Sequence, residues 1–125
     1  MDRDELMALR PILPIPNTGD TPVMERFQNE TLRPVIKMQH EVILLLFKSH
    51  PLAMSIYQNK GPRLVFEKKM RDFVNGQTGL KNQLIGMISG MLTSSELEFY
   101  LLHQTELNKR IHSMLCQRIS DTIYN

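Results

Sequence analysis

A histidine and a glutamate stand side by side at His40 and Glu41, in the order that begins the helix of many zinc proteases. In such a site a second histidine follows one turn later, so that both rings reach one metal ion while the glutamate acts as base. Residue 44 is leucine, and the next histidine along the chain is His50. Since a lone histidine on an apolar helix is usually structural, we expect no metal and no cofactor at this position.

A second pair, His112 and Cys116, has the spacing that puts two side chains on one face of a helix. A thiolate beside an imidazolium can act as a nucleophile, but it also needs backbone N–H groups that stabilise an oxyanion. No glycine-rich segment can be placed beside this pair from the sequence. We interpret Cys116 as a small apolar residue at the edge of a packed face, and the sequence favours a protein without enzymatic activity.

The densest basic segment extends from Lys60 to Arg71 and contains one acid, Glu67. Its five cations are Lys60, Arg63, Lys68, Lys69 and Arg71. On a helix the last three point away from the apolar residues of the same segment, as on any amphipathic helix that faces water. We expect a solvated face, and contact with nucleic acid or another anion is the alternative.

The overall composition is that of an ordinary soluble domain. The chain has 125 residues, of which 42% are hydrophobic and 22% are charged, with a net charge of +2 and one cysteine. The small net charge gives little reason to expect a polyanionic partner, and one cysteine cannot form an internal disulfide. The longest apolar run, Val42 to Phe47, is far shorter than the roughly twenty residues of a membrane-spanning helix. With an acidic start where a secretory signal would be basic, we expect a cytoplasmic protein without a membrane partner.

Residues 1–20 are predicted to form an N-terminal arm, and residues 21–125 a single helical domain. After one helical turn around Asp4 to Leu9, three prolines between residues 11 and 16 remove backbone donors and favour an extended path. The apolar residues of this stretch are Ile12, Leu13 and Ile15. We expect them to hold the arm against its own domain or against a neighbouring subunit, rather than to present a proline motif to a partner.

The longest helix is predicted from Pro22 to about Lys48. Thr21 and Pro22 are typical of a helix start, with a hydroxyl that caps free N–H groups and a proline at the first helical position. An apolar stripe recurs every three to four residues and keeps its phase across Pro34. We therefore predict one helix bent at Pro34, and the alternative is a break with Thr31 as the cap of a second helix. The stripe consists of Met24, Phe27, Thr31, Val35, Met38, Val42 and Leu45.

Within this helix the run from Val42 to Phe47 is apolar on all sides, which predicts that neighbouring helices enclose it on most sides. His50 is predicted to end the helix before Pro51, and an ambiguous helical turn follows before Gly61 and Pro62 break the chain.

The second half of the chain is also predicted to be helical. One helix should end at Asn75 and Gly76 in a left-handed residue, and another should extend from about Thr78 to Leu92. Gly86 and Gly90 on that helix predict close contact with another helix backbone. Residues 93–96 form a capping box, with a kink expected near residues 103–105. No segment alternates with a period of two, so the sequence predicts an all-α bundle of four to five helices.

Two segments, "RFQNETLRPVIKMQHEVILLLF" and "ELNKRIHSML", resemble a group of short helical bacterial proteins of unassigned function, some of which carry a glyoxalase label. The resemblance covers most of the chain after about Val23 and implies a bacterial all-helical protein. A common glyoxalase has strand-rich repeats that place histidines and glutamates around a metal ion, and this sequence has neither strands nor such a ligand set. The resemblance therefore supplies no catalytic residue.

The functional expectation is a protein-interaction or self-associating module, with a homodimer or a protein partner as the assembly. A short chain has few helices with which to cover Val42 to Phe47, and its arm is apolar. The alternative is a ligand-binding or enzymatic pocket between helices, with His40, Glu41 or Tyr100 as contributors. Polar groups that converge on the largest cavity would favour that alternative.

Overall fold

The computed structural model describes residues 2–14 and 17–124, and within these ranges every regular element is helical. The predicted all-α class is confirmed. The described ranges contain eight α-helices rather than the predicted four to five, because the long predicted helices are divided. The elements are a 3₁₀ helix (Arg3–Leu9), α1 (Val23–Phe27), a π-helical turn (Gln28–Leu32), α2 (Arg33–Met38), α3 (His40–Ser49), α4 (Pro51–Gln58), α5 (Arg63–Gly76), α6 (Thr78–Ser89), α7 (Ser94–Leu102) and α8 (Gln104–Tyr124).

The helical path passes through Pro34 but is interrupted elsewhere. Before the proline the chain forms a π turn, in which the backbone N–H of Arg33 donates to the carbonyl of Gln28. A π turn of this kind adds a residue to the helix and gives room to a ring that would crowd the preceding turn. The interruption falls instead at Gln39, where φ is −89° and ψ is 10°. Thr31 lies buried within the π turn, so it does not cap a second helix.

The start of α1 also differs from the prediction. The hydroxyl of Thr21 does not cap the helix, because it accepts a hydrogen bond from the backbone N–H of Thr18 at 2.8 Å. Pro22 occupies the N-cap position, and no side chain caps the helix there.

The helix α3 is amphipathic in the structure, although its sequence is apolar all round. Ile43 and Phe47 are completely buried, whereas Val42 is exposed and Leu45 is 64% exposed. The predicted enclosure on most sides therefore holds for Ile43, Phe47 and the partly buried Leu44 and Leu46, but not for Val42 and Leu45. The helix packs against α2, α4 and α6, and the exposure of Val42 and Leu45 shows that these neighbours leave one face of α3 uncovered.

A helix fills the connection predicted after α3. His50 ends α3 and caps α4, since its Nδ1 accepts a hydrogen bond from the backbone N–H of Leu52 at 3.2 Å. Pro51 follows at the first position of α4, where its missing N–H costs nothing. The proline that stops one helix therefore also begins the next.

One glycine adopts the predicted turn conformation, and three others differ from their predicted roles. Gly61 has φ of +58°, which agrees with the predicted chain break before α5. Gly76 is the last residue of α5 and does not adopt a left-handed conformation. Gly86 and Gly90 are exposed, and a Cβ added to Gly86 would meet no atom within 4 Å. The predicted close helix packing at these two glycines is therefore wrong.

The capping box that begins α7 is confirmed. The hydroxyl of Thr93 accepts from the backbone N–H of Glu96, and the Glu96 carboxylate accepts from the backbone N–H of Thr93. The expected interruption falls at His103, after which α8 continues to Tyr124. The core joins α2, α3, α5, α6 and α8 through buried residues that include Ile36, Phe47, Phe66, Met70, Leu84, Ile88, Leu107 and Ile111.

Polar contacts, more than apolar ones, fix the N-terminal segment to the rest of the chain. Arg3 donates to the carbonyls of Gly90 and Leu92, and Arg10 is paired with Glu96. Ile12 is completely exposed, so it does not attach the arm to its own domain as one alternative predicted. Leu13 is half-buried and Ile15 lies outside the described residues, while Leu6 is the apolar residue that the segment buries.

Candidate functional site

An open groove with a volume of about 760 Å³ lies between the π turn with α2 on one side and α8 on the other. One wall extends from Gln28 to Lys37, and the other extends from Ser113 to Thr122. Each corresponds to roughly 14 Å of helix at 1.5 Å per residue. The groove is therefore long and open rather than an enclosed chamber. Its lining consists of Leu13, Pro14, Gln28, Arg33, Ile36, Lys37, Ser113, Met114, Gln117, Arg118, Asp121 and Thr122.

Three cations from two helices line this groove. Arg33 and Lys37 are one turn apart on α2, and Arg118 comes from α8. Among the residues that the structure describes, no carboxylate lies within 4.0 Å of any of these three cations. The groove therefore carries a concentration of positive charge, and none of these three cations forms a direct ion pair within the described residues.

Arg118 is the most enclosed of the three cations. Burial lowers the pKa of its guanidinium from the ordinary value, the nearby charge of Arg33 lowers it further, and Asp121 raises it. Its Nη1 lies 3.3 Å from Nδ1 of His40, which accepts the hydrogen bond and so must be the unprotonated nitrogen of that ring. Arginine keeps its charge even when its pKa falls by a few units, so a fixed positive charge stands at this wall.

Asp121 is the carboxylate among the lining residues, but it is directed to other partners. It forms an ion pair with Arg63 and accepts a hydrogen bond from Nε2 of Gln117 at 2.9 Å. Both contacts are made by Oδ1, and the charge of Asp121 still raises the pKa of Arg118, so Asp121 offsets part of the positive charge of the groove.

The His112 and Cys116 side chains do lie on one face of α8, with 3.6 Å between Nε2 and Sγ. Burial raises the pKa of the Cys116 thiol to about 11. Burial also lowers the pKa of His112, and the charges of Lys81 and Arg71 lower it further. Both shifts favour the neutral forms, so the pair does not supply a thiolate and an imidazolium.

The basic side chains between Lys60 and Arg71 make several separate contacts and do not form one cationic patch. Arg63 bonds Glu67 and Asp121, and both Lys60 and Arg63 lie over the ring of Tyr124. Lys68 is 3.7 Å from the carboxylate of Asp72 on the same helix. Lys69 and Arg71 are exposed. This face consequently offers fewer free cations than the count in the sequence suggests.

The remaining candidate residues are only partly brought together. His40 reaches the groove through its contact with Arg118, whereas Glu41 is exposed. Tyr100 is buried and its hydroxyl donates to the side-chain oxygen of Asn108. Within residues 2–14 and 17–124, histidine, cysteine and acidic side chains form no group of three or more that could hold a metal ion.

Arg33, Lys37 and Arg118 were not predicted from the sequence. The first two carry a weak local signal, since like charges one turn apart on an exposed helix face repel each other. Arg118 carries no such signal, because it is brought to the other two only by the packing of α8 against the π turn.

Comparisons with models of protein families, with curated proteins and with solved structures gave no match to this chain. The resemblance to short helical bacterial proteins therefore remains an expectation from the sequence. Over the described residues, none of the helices combines the length and the apolar character needed to cross a lipid bilayer.

Proposed function

We propose that the protein is a non-enzymatic binding module whose groove takes an acidic segment of a partner protein. The observation that carries this proposal is the set of three cations, Arg33, Lys37 and Arg118, that line one groove without a carboxylate within 4.0 Å in the described part of the chain.

The arrangement of these cations is unfavourable for the isolated chain. Like charges one turn apart destabilise a helix by a few tenths of a kcal/mol, and Arg118 adds a third charge across the groove. A carboxylate from a ligand would relieve this repulsion and form charge-assisted hydrogen bonds with the two guanidinium groups. Anion binding would therefore stabilise this arrangement of three cations.

The shape of the groove supports a peptide segment rather than a small anion. Its length of roughly 14 Å matches about four residues of extended chain or about seven residues of a 3₁₀ helix. Leu13 and Met114 lie among the cations and can contact an apolar side chain of the ligand. A short segment that combines acidic and apolar residues fits both the charge and the lining.

The test is fluorescence anisotropy with a labelled peptide of alternating glutamate and leucine, titrated with the full chain at low salt. We expect saturable binding that weakens as salt rises, since salt screens exposed charges over about 10 Å at 0.1 M. Arg33→Glu combined with Lys37→Glu should weaken binding by at least about tenfold. Lys68→Glu combined with Lys69→Glu is the matched control, because it also reverses two exposed cations but on α5.

Two results would contradict the proposal. One is the absence of peptide binding at high micromolar concentration, and the other is equal loss of binding in the groove variant and the α5 control. A parallel titration with inorganic phosphate and citrate distinguishes the alternative, since binding of these anions without the peptide would show a small-molecule site instead.

A further inference from the structure

We infer that the partner is a second copy of this chain, whose N-terminal segment, residues 2–12, lies against the cationic groove. This inference rests on the proposed function and names the occupant of the same groove. It depends on what the N-terminal segment exposes and on how rigidly the segment is held.

The N-terminal segment exposes acidic side chains. Asp2, Asp4 and Glu5 are all exposed, and in the described part of the chain no cation lies within 4.0 Å of their carboxylates. Arg3 lies among them, but its guanidinium is engaged with the carbonyls of Gly90 and Leu92 at 2.7 Å. The outward surface of the segment is therefore negative, which complements Arg33, Lys37 and Arg118 of another copy.

The same segment exposes apolar side chains. Met7 is 53% exposed, Leu9 is 63% exposed and Ile12 is 100% exposed. An apolar surface that its own domain leaves uncovered, beside charged residues, is typical of a contact site. The groove offers Leu13 and Met114 among its cations, so the two surfaces match in both charge and apolar character.

The segment is held in place before any partner binds. Arg3 fixes its beginning to the connection between α6 and α7, and the ion pair of Arg10 with Glu96 fixes its end. Leu6 is buried against the domain between these two anchors. A surface that is already ordered loses little conformational entropy on association, which favours binding.

The position of the segment favours a two-fold dimer. Ile12 directly precedes Leu13, which lines the groove of its own chain, so each N-terminal segment lies beside its own groove. When two copies are related by a two-fold axis, the segment of each can reach the groove of the other through two equal contacts. Once one contact has formed, the second forms within the same complex, which strengthens the dimer.

Sedimentation velocity of the full chain tests this inference through a charge exchange. We expect a dimer at low salt that dissociates at about 0.5 M salt, where charges are screened within a few ångströms. Two double variants should each give a monomer, because like charges then face each other. The groove variant carries Arg33→Glu and Lys37→Glu, and the segment variant carries Asp4→Lys and Glu5→Lys. An equimolar mixture of the two variants should form a heterodimer again, since both contacts regain opposite charges. Lys68→Glu with Lys69→Glu should remain a dimer, and circular dichroism of every variant checks that the helices are kept.

The inference is overturned by a wild-type monomer at low salt, by a dimer that survives both reversals, or by a mixture that stays monomeric. These results are distinct from failure of the proposed function. If the chain is monomeric but its groove still binds the acidic peptide, the partner is another protein. If the groove variant binds the peptide as well as the wild type does, the proposed function itself fails.

Discussion

Arg10 and Glu96, eighty-six positions apart, are joined by two hydrogen bonds, with 2.8 Å from Nη1 to Oε2 and 2.6 Å from Nη2 to Oε1. Both side chains are largely buried, at 6% and 14% exposure. Glu96 is also the residue that completes the capping box of α7 with Thr93. One carboxylate therefore begins a helix and at the same time fastens the N-terminal segment to the domain.

Replacement of Glu96 by alanine should lower the free energy of unfolding by roughly 3 kcal/mol or more, since Arg10 would keep a buried charge without its partner. Loss of the capping contact adds to this cost. Urea denaturation measures the change, and hydrogen exchange should show faster opening of residues 3–9. Glu98→Ala is the control, because Glu98 is exposed and its removal should change stability by about 0.5 kcal/mol at most. Equal stability of the two variants would contradict this role.

The same carboxylate should make stability fall in acid. Burial alone would raise the pKa of Glu96, but the hydrogen bonds from Arg10 and Thr93 and the charge of Arg10 together lower it below its ordinary value of 4.5. A lowered pKa in the folded state means that the ionised carboxylate stabilises the fold above that value, and that this contribution is lost as pH falls further. Glu96→Gln should therefore show a smaller loss of unfolding free energy between about pH 5 and about pH 3 than the wild type. If the urea midpoints of the two proteins fell by the same amount across this pH range, Glu96 would not contribute to the acid sensitivity.

Features that depend on neighbouring residues could be predicted from the sequence. The capping box of Thr93 and Glu96 needs only residues three apart, and Gly61 before Pro62 marks a chain break by its own conformational freedom. The amphipathic face of α5, with Phe66 and Met70 buried, follows from the helical period.

Features that depend on which helices are near could not be predicted. The run around Leu45 is apolar on all sides, and only the packing of α3 decides that this residue faces outward. The interruption at Gln39, rather than at Pro34, coincides with a hydrogen bond from its side chain to the carbonyl of Met87 at 3.2 Å. The groove likewise joins Arg33 with Arg118, which no local pattern connects.

The two faces of α3 should respond very differently to mutation. Phe47→Ala should lower the free energy of unfolding by roughly 3 kcal/mol or more, because Phe47 is completely buried and its loss leaves a cavity. Leu45→Ala, on the exposed face of the same helix, should change it by about 0.5 kcal/mol or less. Thermal melting followed by circular dichroism measures both variants. A large loss for Leu45→Ala in the monomeric chain would mean that α3 is more enclosed than its exposure indicates.

Two glycine substitutions should have opposite signs. Gly86→Ala should raise the free energy of unfolding by about 0.5 to 1 kcal/mol, since an added Cβ meets no atom within 4 Å and alanine is the better helix former. Gly61→Ala should lower it by roughly 1 kcal/mol, because φ of +58° is strained for any residue with a Cβ. Urea denaturation at neutral pH compares the two. If Gly86→Ala destabilised the protein, the result would support the close helix contact that the sequence predicted.

Cys116 should be unreactive in the folded protein. The pKa of its thiol is about 11 against an ordinary value of 9.0, so burial lowers the fraction of thiolate at neutral pH by about a hundredfold. A disulfide reagent such as dithiobis(nitrobenzoic acid) should therefore label the native chain at least about a hundred times more slowly than the urea-unfolded chain. His112→Gln should leave the native rate unchanged, since the neutral ring of His112 does not hold a thiolate beside it. Rapid native labelling that this substitution slows would instead show that the two side chains form a reactive ion pair.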